Sequence, residues 1–500
     1  MKVIPISYKD VVRVKNIFLP VFKEEHLEQE KLFSFLPQSV RNATLQLSQK
    51  EFRADEGETK SVWFPDGPIS RVRLFGWGEK KKWHYRKNPL VARRYVQYAK
   101  SERIEEFATP FGNSLGKDKR SAATIFATNA LMASFDYNKY KEKPKEGWPE
   151  VHTIYLLADP KDHAEIKKGI EEGIIIGEEA NKCRELANTP GGDMTPIRLA
   201  GEAAKTARQY GIKAKILDEK EMQKLGMGGV LGVGKGSVEK PRFIILEYQK
   251  GPKSQQPLVL VGKGVTFDTG GLNLKPSNYI YEMHMDMSGG AAVIHGIAAI
   301  ARLKLPINVV AIVPAVENMP SGSSYRPGDL LKTMSGKTIE VLDTDAEGRV
   351  ILSDGLYYGA SKYKPGLLMD FATLTGAAHV ALGNYSSAVF TQDEVLQEKL
   401  IAVGKKSGDY VWPLPMWDEF LPEIKGIFGD VANTGRGDRY GGASHGAKFL
   451  EQFTDGSRFA HIDIAPKMTT IDSEFLSKGA SGVGVRFIVE LAKEYPRIMN

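Results

Sequence analysis

From about residue 195 onward, short unbroken apolar runs alternate with longer stretches of helical period, and this alternation constrains the fold more than any other feature. Residues 242–248, 257–261, 307–313 and 366–371 read as strands, with a shorter one at 339–342. Residues 196–209, 290–303 and 349–363 read as helices between them. A strand with no polar side has no face to give to water. Such strands belong in a largely parallel or mixed sheet with helices on both faces.

The first 165 or so residues carry a second, less regular pattern. Strand-like pieces at 71–75 and 151–157 flank helix-like sequence at 122–135. A long stretch from 160 to about 188 places Ile166, Ile170, Ile174 and Ile175 near the helical period and stops at Thr189-Pro190-Gly191-Gly192. The fold expected is therefore α/β, with two domains, each a mixed or parallel sheet flanked by helices. Residues 1–165 form a small macro-like accessory domain, 166–190 a connecting helix, and 191–500 the domain that bears the candidate chemistry.

Composition excludes several classes of function. A single cysteine, Cys183, rules out an internal disulfide framework and a cysteine-rich zinc module. Its place in the connecting helix reads as burial. No apolar run reaches the ~18 residues of a membrane span, and Met1 to Ile6 shows no hydrophobic leader. No membrane association and a cytoplasmic location are expected. The net charge of +7 is mild for a dedicated nucleic-acid domain. The densest basic stretch, Lys80 to Arg94, interleaves Trp83, Tyr85 and Tyr95. It reads first as a solvated basic face. DNA contact through this N-terminal region is the alternative, since lysines bind phosphate and aromatics stack on bases.

Two further motifs lead nowhere. Gly229 to Lys235 resembles the opening of a phosphate-binding loop, but Gly236 stands where a Ser or Thr should hold magnesium, and a flexible glycine loop is expected. The nine histidines show no metal-ligand spacing, and His461 alternates with apolar residues as a core strand position.

The acidic residues are different. Asp268 follows the strand at 257–261, in Lys263-Gly264-Val265-Thr266-Phe267-Asp268-Thr269-Gly270-Gly271. Asp286 lies in Met283-His284-Met285-Asp286, and Asp345 and Glu347 in Asp343-Thr344-Asp345-Ala346-Glu347-Gly348-Arg349. Open α/β sheets bind ligands beyond the carboxyl ends of their strands. Four carboxylates crowded together repel and rise in pKa. Two divalent cations would balance them, and oxygen-rich ligation suits magnesium, manganese or zinc better than copper. Asp345 and Glu347, two apart, would share one side of an extended loop. Adjacent glycines allow close backbone approach. Asp, Gly and Ser are also ordinary turn and cap residues, and the carboxylates alone leave that alternative open.

These segments resemble the leucyl aminopeptidases, cytosolic two-metal enzymes. The likeness runs through Val261 to Gly264, Thr266 to Gly271, Met283 to Asp286 and, most specifically, Thr344-Asp345-Ala346-Glu347-Gly348-Arg349. It continues through Asn188 to Pro190, Asp193 to Pro196, Ala372 to Ala377, His461 to Ala465 and Gly479 to Gly482. The resemblance implies that Lys263, Asp268, Asp286, Asp345 and Glu347 hold two zinc or manganese ions, with Lys263 neutral when it ligates. It implies that Lys275 polarises the scissile carbonyl and that Arg349 grips a bicarbonate serving as base. A hydroxide bridging the two metals would attack the peptide. Met283, Asp343, Thr373 and Leu374, with Lys275, fall among the substrate contacts, giving removal of leucine-like N-terminal residues from short peptides with broad specificity. A homohexamer is implied as well. The chain departs from the family at Asp343, where Asn is usual, at Pro466, where Gly is usual, and at Ser444-His445-Gly446, which replaces a more aliphatic helix start.

Overall fold

The computed structural model describes residues 1–112, 118–436 and 440–499. The chain divides into two compact units, Met1–Glu178 with Asp472–Ser477, and Glu179–Ile471 with Lys478–Asn500. The division falls inside one continuous helix, His163–Asn188, rather than at its two ends. A short stretch near the C-terminus also groups with the first unit, which no local sequence pattern would reveal.

The first unit is built on a six-stranded sheet. Its spatial order is Lys2–Ser7, Thr153–Ala158, Glu106–Pro110, Asn16–Val21, Arg71–Gly76 and Thr59–Trp63. All neighbours are parallel except the last pair. Lys80, Lys81 and Lys82 are solvent-exposed, as expected of a solvated basic face, and meet carboxylates there. Lys80 pairs with Glu25 at 2.8 Å, Lys81 and Lys82 with Glu79 at 3.1 and 2.6 Å, and Lys87 with Glu56 at 2.8 Å. Arg93 and Arg94 turn inward and are buried. Arg93 donates to Asn129 and Arg94 to the Gly76 carbonyl, each at 2.9 Å. Exposed ion pairs add little stability, but they reduce the field that phosphate would seek.

The second unit holds the larger sheet, nine strands with helices on both faces. At its centre lie four mutually parallel strands in the order Phe459–Asp463, Leu367–Ala372, Leu258–Gly262 and Asn308–Asn318. A fifth, Gly264–Asp268, runs parallel to the far end of Asn308–Asn318. All eleven residues of Asn308–Asn318 are buried, the signature of a strand covered on both faces. The helix Ser288–Arg302 is buried at every position but its last. It lies so close to the sheet that a Cβ on Gly289 would sit 2.0 Å from the Phe371 carbonyl oxygen. The glycine-rich segment expected as a flexible loop is instead a short helix, Gly228–Gly234. The buried Asp354 accepts from the backbone amide of Val230 at 2.9 Å and so supplies the cap the sequence lacks locally. Among the described residues no helix is long and apolar enough to cross a membrane.

Candidate active site

Topology brings the chemistry-bearing residues to one edge of this sheet. Lys263 follows Leu258–Gly262, Asp268 ends Gly264–Asp268, Asn318 ends Asn308–Asn318, Thr373 follows Leu367–Ala372, and Asp463 ends Phe459–Asp463. All stand at carboxyl ends of parallel strands, where the open side of an α/β sheet receives a ligand. Asp286 arrives just ahead of the helix Ser288–Arg302, while Glu347 and Arg349 occupy the first turn of Glu347–Tyr363.

Three carboxylates form the heart of the cluster. Asp268, Asp286 and Glu347 are buried, and each offers an oxygen within 4.8 Å of the others. Lys263, also buried, places Nζ 2.7 Å from both Asp286 Oδ2 and Glu347 Oε1 and donates to the Thr373 carbonyl at 3.0 Å. Lys275 lies nearer the surface. Its ammonium is 2.9 Å from Asp268 Oδ2 and 2.5 Å from Asp345 Oδ1. Asp345 therefore joins through Lys275 and lies outside the close trio. The extended-loop pairing of Asp345 with Glu347 does not hold, because Glu347 is already helical and the two acids meet different lysines.

Charge crowding shows in the titration of these groups. Burial, then Glu347 and Asp268, push the Asp345 carboxyl up to about 7 against the pull of Lys275. Burial likewise raises Asp286 and Glu347. Burial would lower both lysines, but the surrounding carboxylates outweigh it and hold them above the ordinary range. Several oxygens keep unused capacity. Asp286 Oδ2, Asp345 Oδ1 and both oxygens of Glu347 are buried without a hydrogen bond, although three of the four face an ammonium at ion-pair distance. Glu347 Oε2 has neither. Buried acceptors left this way are costly, and hard divalent cations are the partners that suit them. The residues present thus fit divalent metal.

Other residues hold this set in place. Thr373, expected as a substrate contact, donates to Asp286 Oδ1 at 2.7 Å besides receiving Lys263. Asp343, also expected as a substrate contact, accepts the Asp345 amide at 2.8 Å and acts as a turn cap. Leu374 is half-buried and donates its amide to Asp463 at 3.1 Å. Met283 is half-buried in the short turn Met283–Met285. Arg349 is buried, which lowers its pKa. It donates to the Asn433 carbonyl at 2.9 Å, and its Nε lacks a hydrogen-bond partner. A Cβ on Gly348 would lie 2.5 Å from Lys263 Cε, so glycine is what lets the lysine pass.

Several supporting residues carry no local signal. Asn318 donates to Asp268 at 2.8 Å and to the Thr344 carbonyl at 3.0 Å. Tyr325 donates to the same carbonyl at 2.7 Å. Asn433 lies some ninety residues from the loop it braces. His461 is a core residue as expected, fully buried and paired with Asp370 at 2.7 Å. Gly442-Ala443-Ser444-His445-Gly446 has the spacing of a serine nucleophile elbow. The structure sets it inside the helix Gly442–Glu451 rather than at a strand-to-helix turn, and Ser444 is buried.

The chain is similar to known proteins. The family model described as the cytosol aminopeptidase catalytic domain matches residues 181–489, and the corresponding N-terminal domain model matches residues 18–144. The chain is 40% identical over 439 residues to a probable cytosol aminopeptidase of Roseiflexus castenholzii, covering 86% of this chain and 89% of that one. It is 41% identical over 458 residues to one of Chlorobaculum tepidum, covering 89% and 90%. Among solved structures, the bottromycin maturation enzyme BotP in complex with Mn superposes with a TM-score of 0.84 at 27% identity, covering 96% of this chain and 99% of that one.

Proposed function

Since the chain belongs to the cytosol aminopeptidase family, we propose that it removes leucine-like residues from the N-termini of short peptides using two divalent metal ions, zinc or manganese. The observation that carries this reading is the buried trio Asp268, Asp286 and Glu347 around Lys263, with Glu347 Oε2 left without hydrogen bond or ion pair and Asp345 close by on Lys275. These five residues would hold the metals. When bound, such a pair supplies Lewis acidity and lowers the pKa of a coordinated water toward neutrality.

The chain's own groups then divide the work. Lys275 keeps its proton, because carboxylates surround it, and its position near the surface lets it meet the substrate carbonyl and stabilise charge that develops there. Lys263 must give up its proton to become a ligand, a change the metals favour by replacing the carboxylates' need for an ammonium. Arg349 would hold a bicarbonate, which supplies a proton acceptor when bound. Its buried Nε without a partner and its place at a helix N-terminus support that role. Thr373 fixes Asp286. Met283, Leu374 and Asp343 would stand around the first side chain of the substrate.

The proposed workplace is the cytoplasm and the proposed assembly a homohexamer. Exposed Trp412, Trp417, Ile427 and Phe428 support burial in an assembly. Nucleic-acid binding is not part of the proposal, because the lysines that suggested it are paired with glutamates.

Purified protein supplied with manganese or zinc is expected to release the chromophore from a leucine anilide, and chelation is expected to stop it. Turnover that survives exhaustive chelation overturns the reading. Metal binding should also depend on pH in a defined direction. An acid raised to about 7 holds its proton below that pH, so Asp345 must release it for a metal to bind. The Kd for Mn2+ is expected to rise by about tenfold or more per unit below pH 7, and less steeply above it. In the metal-free protein the same shift favours the fold in acid, and that contribution is lost as pH rises through about 7. Calorimetric titration at pH 6, 7 and 8 checks the slope, and a flat profile contradicts it.

A further inference from the structure

Asn433 is fully buried and binds one stretch of the site, residues 340–349, some ninety positions away in sequence. Its side-chain oxygen accepts from the amides of Leu342 at 2.7 Å and Asp343 at 3.3 Å. Its side-chain nitrogen donates to the Asp343 carbonyl at 2.6 Å. Its own carbonyl receives the Arg349 guanidinium at 2.9 Å, and its amide donates to the Glu340 carbonyl at 3.0 Å. One residue therefore clamps the backbone that leads into Asp345 and also sets where Arg349 sits.

The segment bearing Asn433 is itself tied down. The Glu340 carboxylate accepts from the amides of Ile427 at 2.6 Å, Phe428 at 3.0 Å and Gly429 at 3.4 Å, and pairs with Arg436 at 2.6 Å. A Cβ on Gly435 would lie 2.4 Å from the His445 ring, so that side of the segment is packed against a buried imidazole. Held at both ends, Asn433 has no freedom to follow the acidic loop, and the loop must follow it.

We infer that Asn433 is a positioning residue for the dimetal centre, fixing Asp345 through the Asp343 backbone and fixing Arg349 through its own carbonyl. This rests on the aminopeptidase reading for its catalytic consequence, but its effect on metal binding stands apart from that reading. Residues that orient metal ligands from behind commonly change metal affinity 10–100-fold when replaced. An arginine held by one carbonyl loses its aim when that carbonyl moves.

The test uses Asn433→Ala and the isosteric Asn433→Asp, which keeps the acceptors but cannot donate to Asp343. Calorimetric titration with Mn2+ alone is expected to show binding about 10–100-fold weaker in both variants. Turnover of a leucine anilide at saturating Mn2+ is expected to show a lower kcat with KM changed less. In an Arg349→Ala background the Asn433 substitution should lower kcat little further, because the two act as one unit. A merely structural role gives independent, additive losses. Mn2+ binding within twofold of wild type in Asn433→Asp, or full additivity with Arg349→Ala, overturns the inference. If the wild type hydrolyses no peptide, the aminopeptidase reading fails while the Mn2+ titration still decides the role of Asn433.

Discussion

Lys275→Ala is expected to lower kcat by about 10²–10³-fold, the loss seen when one donor is removed from a site where negative charge develops. Of the two lysines in the cluster, this one is placed to meet substrate. The Lys275 side chain keeps 15% of its surface exposed, against 4% for Lys263, and it faces Asp268 and Asp345 rather than the protein interior. Its removal takes away the one cation between those two carboxylates. Asp345, already pushed up to about 7, then shifts further up, so metal loading must be checked alongside rate. Steady-state kinetics on a leucine anilide at saturating Mn2+, with loading measured separately, isolates the effect. A kcat within threefold of wild type at full loading would remove Lys275 from the mechanism.

The second large effect concerns stability. A ligand that binds only the folded chain stabilises it by ~2.7 kcal/mol at one hundred times its Kd. Mn2+ is therefore expected to raise the melting temperature of the wild type. Glu347→Gln should abolish most of that rise and nearly all turnover. The metal-free melting temperature of the same variant should not fall. Asp268, Asp286 and Glu347 crowd three acids into one buried cluster, and burial with Asp268 already raises the Glu347 carboxyl. Replacing it by an amide gives up the Lys263 ion pair at 2.7 Å but relieves the burial and repulsion that together outweigh it. Thermal melts of both proteins with chelator and with Mn2+ test this. Equal Mn2+ stabilisation in the two, or a large drop in the metal-free variant, contradicts it.

Glu347 and Asp345 also show where local pattern stops being informative. Their spacing of two suggested a shared side of an extended loop. The helix begins at Glu347, and so the two side chains diverge, one to Lys263 and one to Lys275. Backbone conformation at a helix start depends on what caps it, and here Asp343 and Asn433 hold the turn. The basic stretch shows how partners elsewhere change the meaning of a local charge run. Lys80 to Arg94 is cationic along the chain, yet its lysines meet Glu25, Glu56 and Glu79, and Arg93 and Arg94 are buried. Charge along a sequence says nothing about which acids fold against it.

By itself the sequence determined the α/β class, the strands of the central sheet and the identity of the acids and lysines at its edge. Apolar periodicity is a local property, because each residue's burial preference is expressed by its neighbours one to four places away. Only the tertiary structure decided which lysine serves which carboxylate, that Thr373 braces Asp286, and that Asn433 ties Arg349 to the loop of Asp345. The Thr373 and Asn433 pairings join residues roughly ninety positions apart. Hydrogen bonds and ion pairs act over a few ångströms, so they exist only after parallel strands have carried distant segments to the same edge.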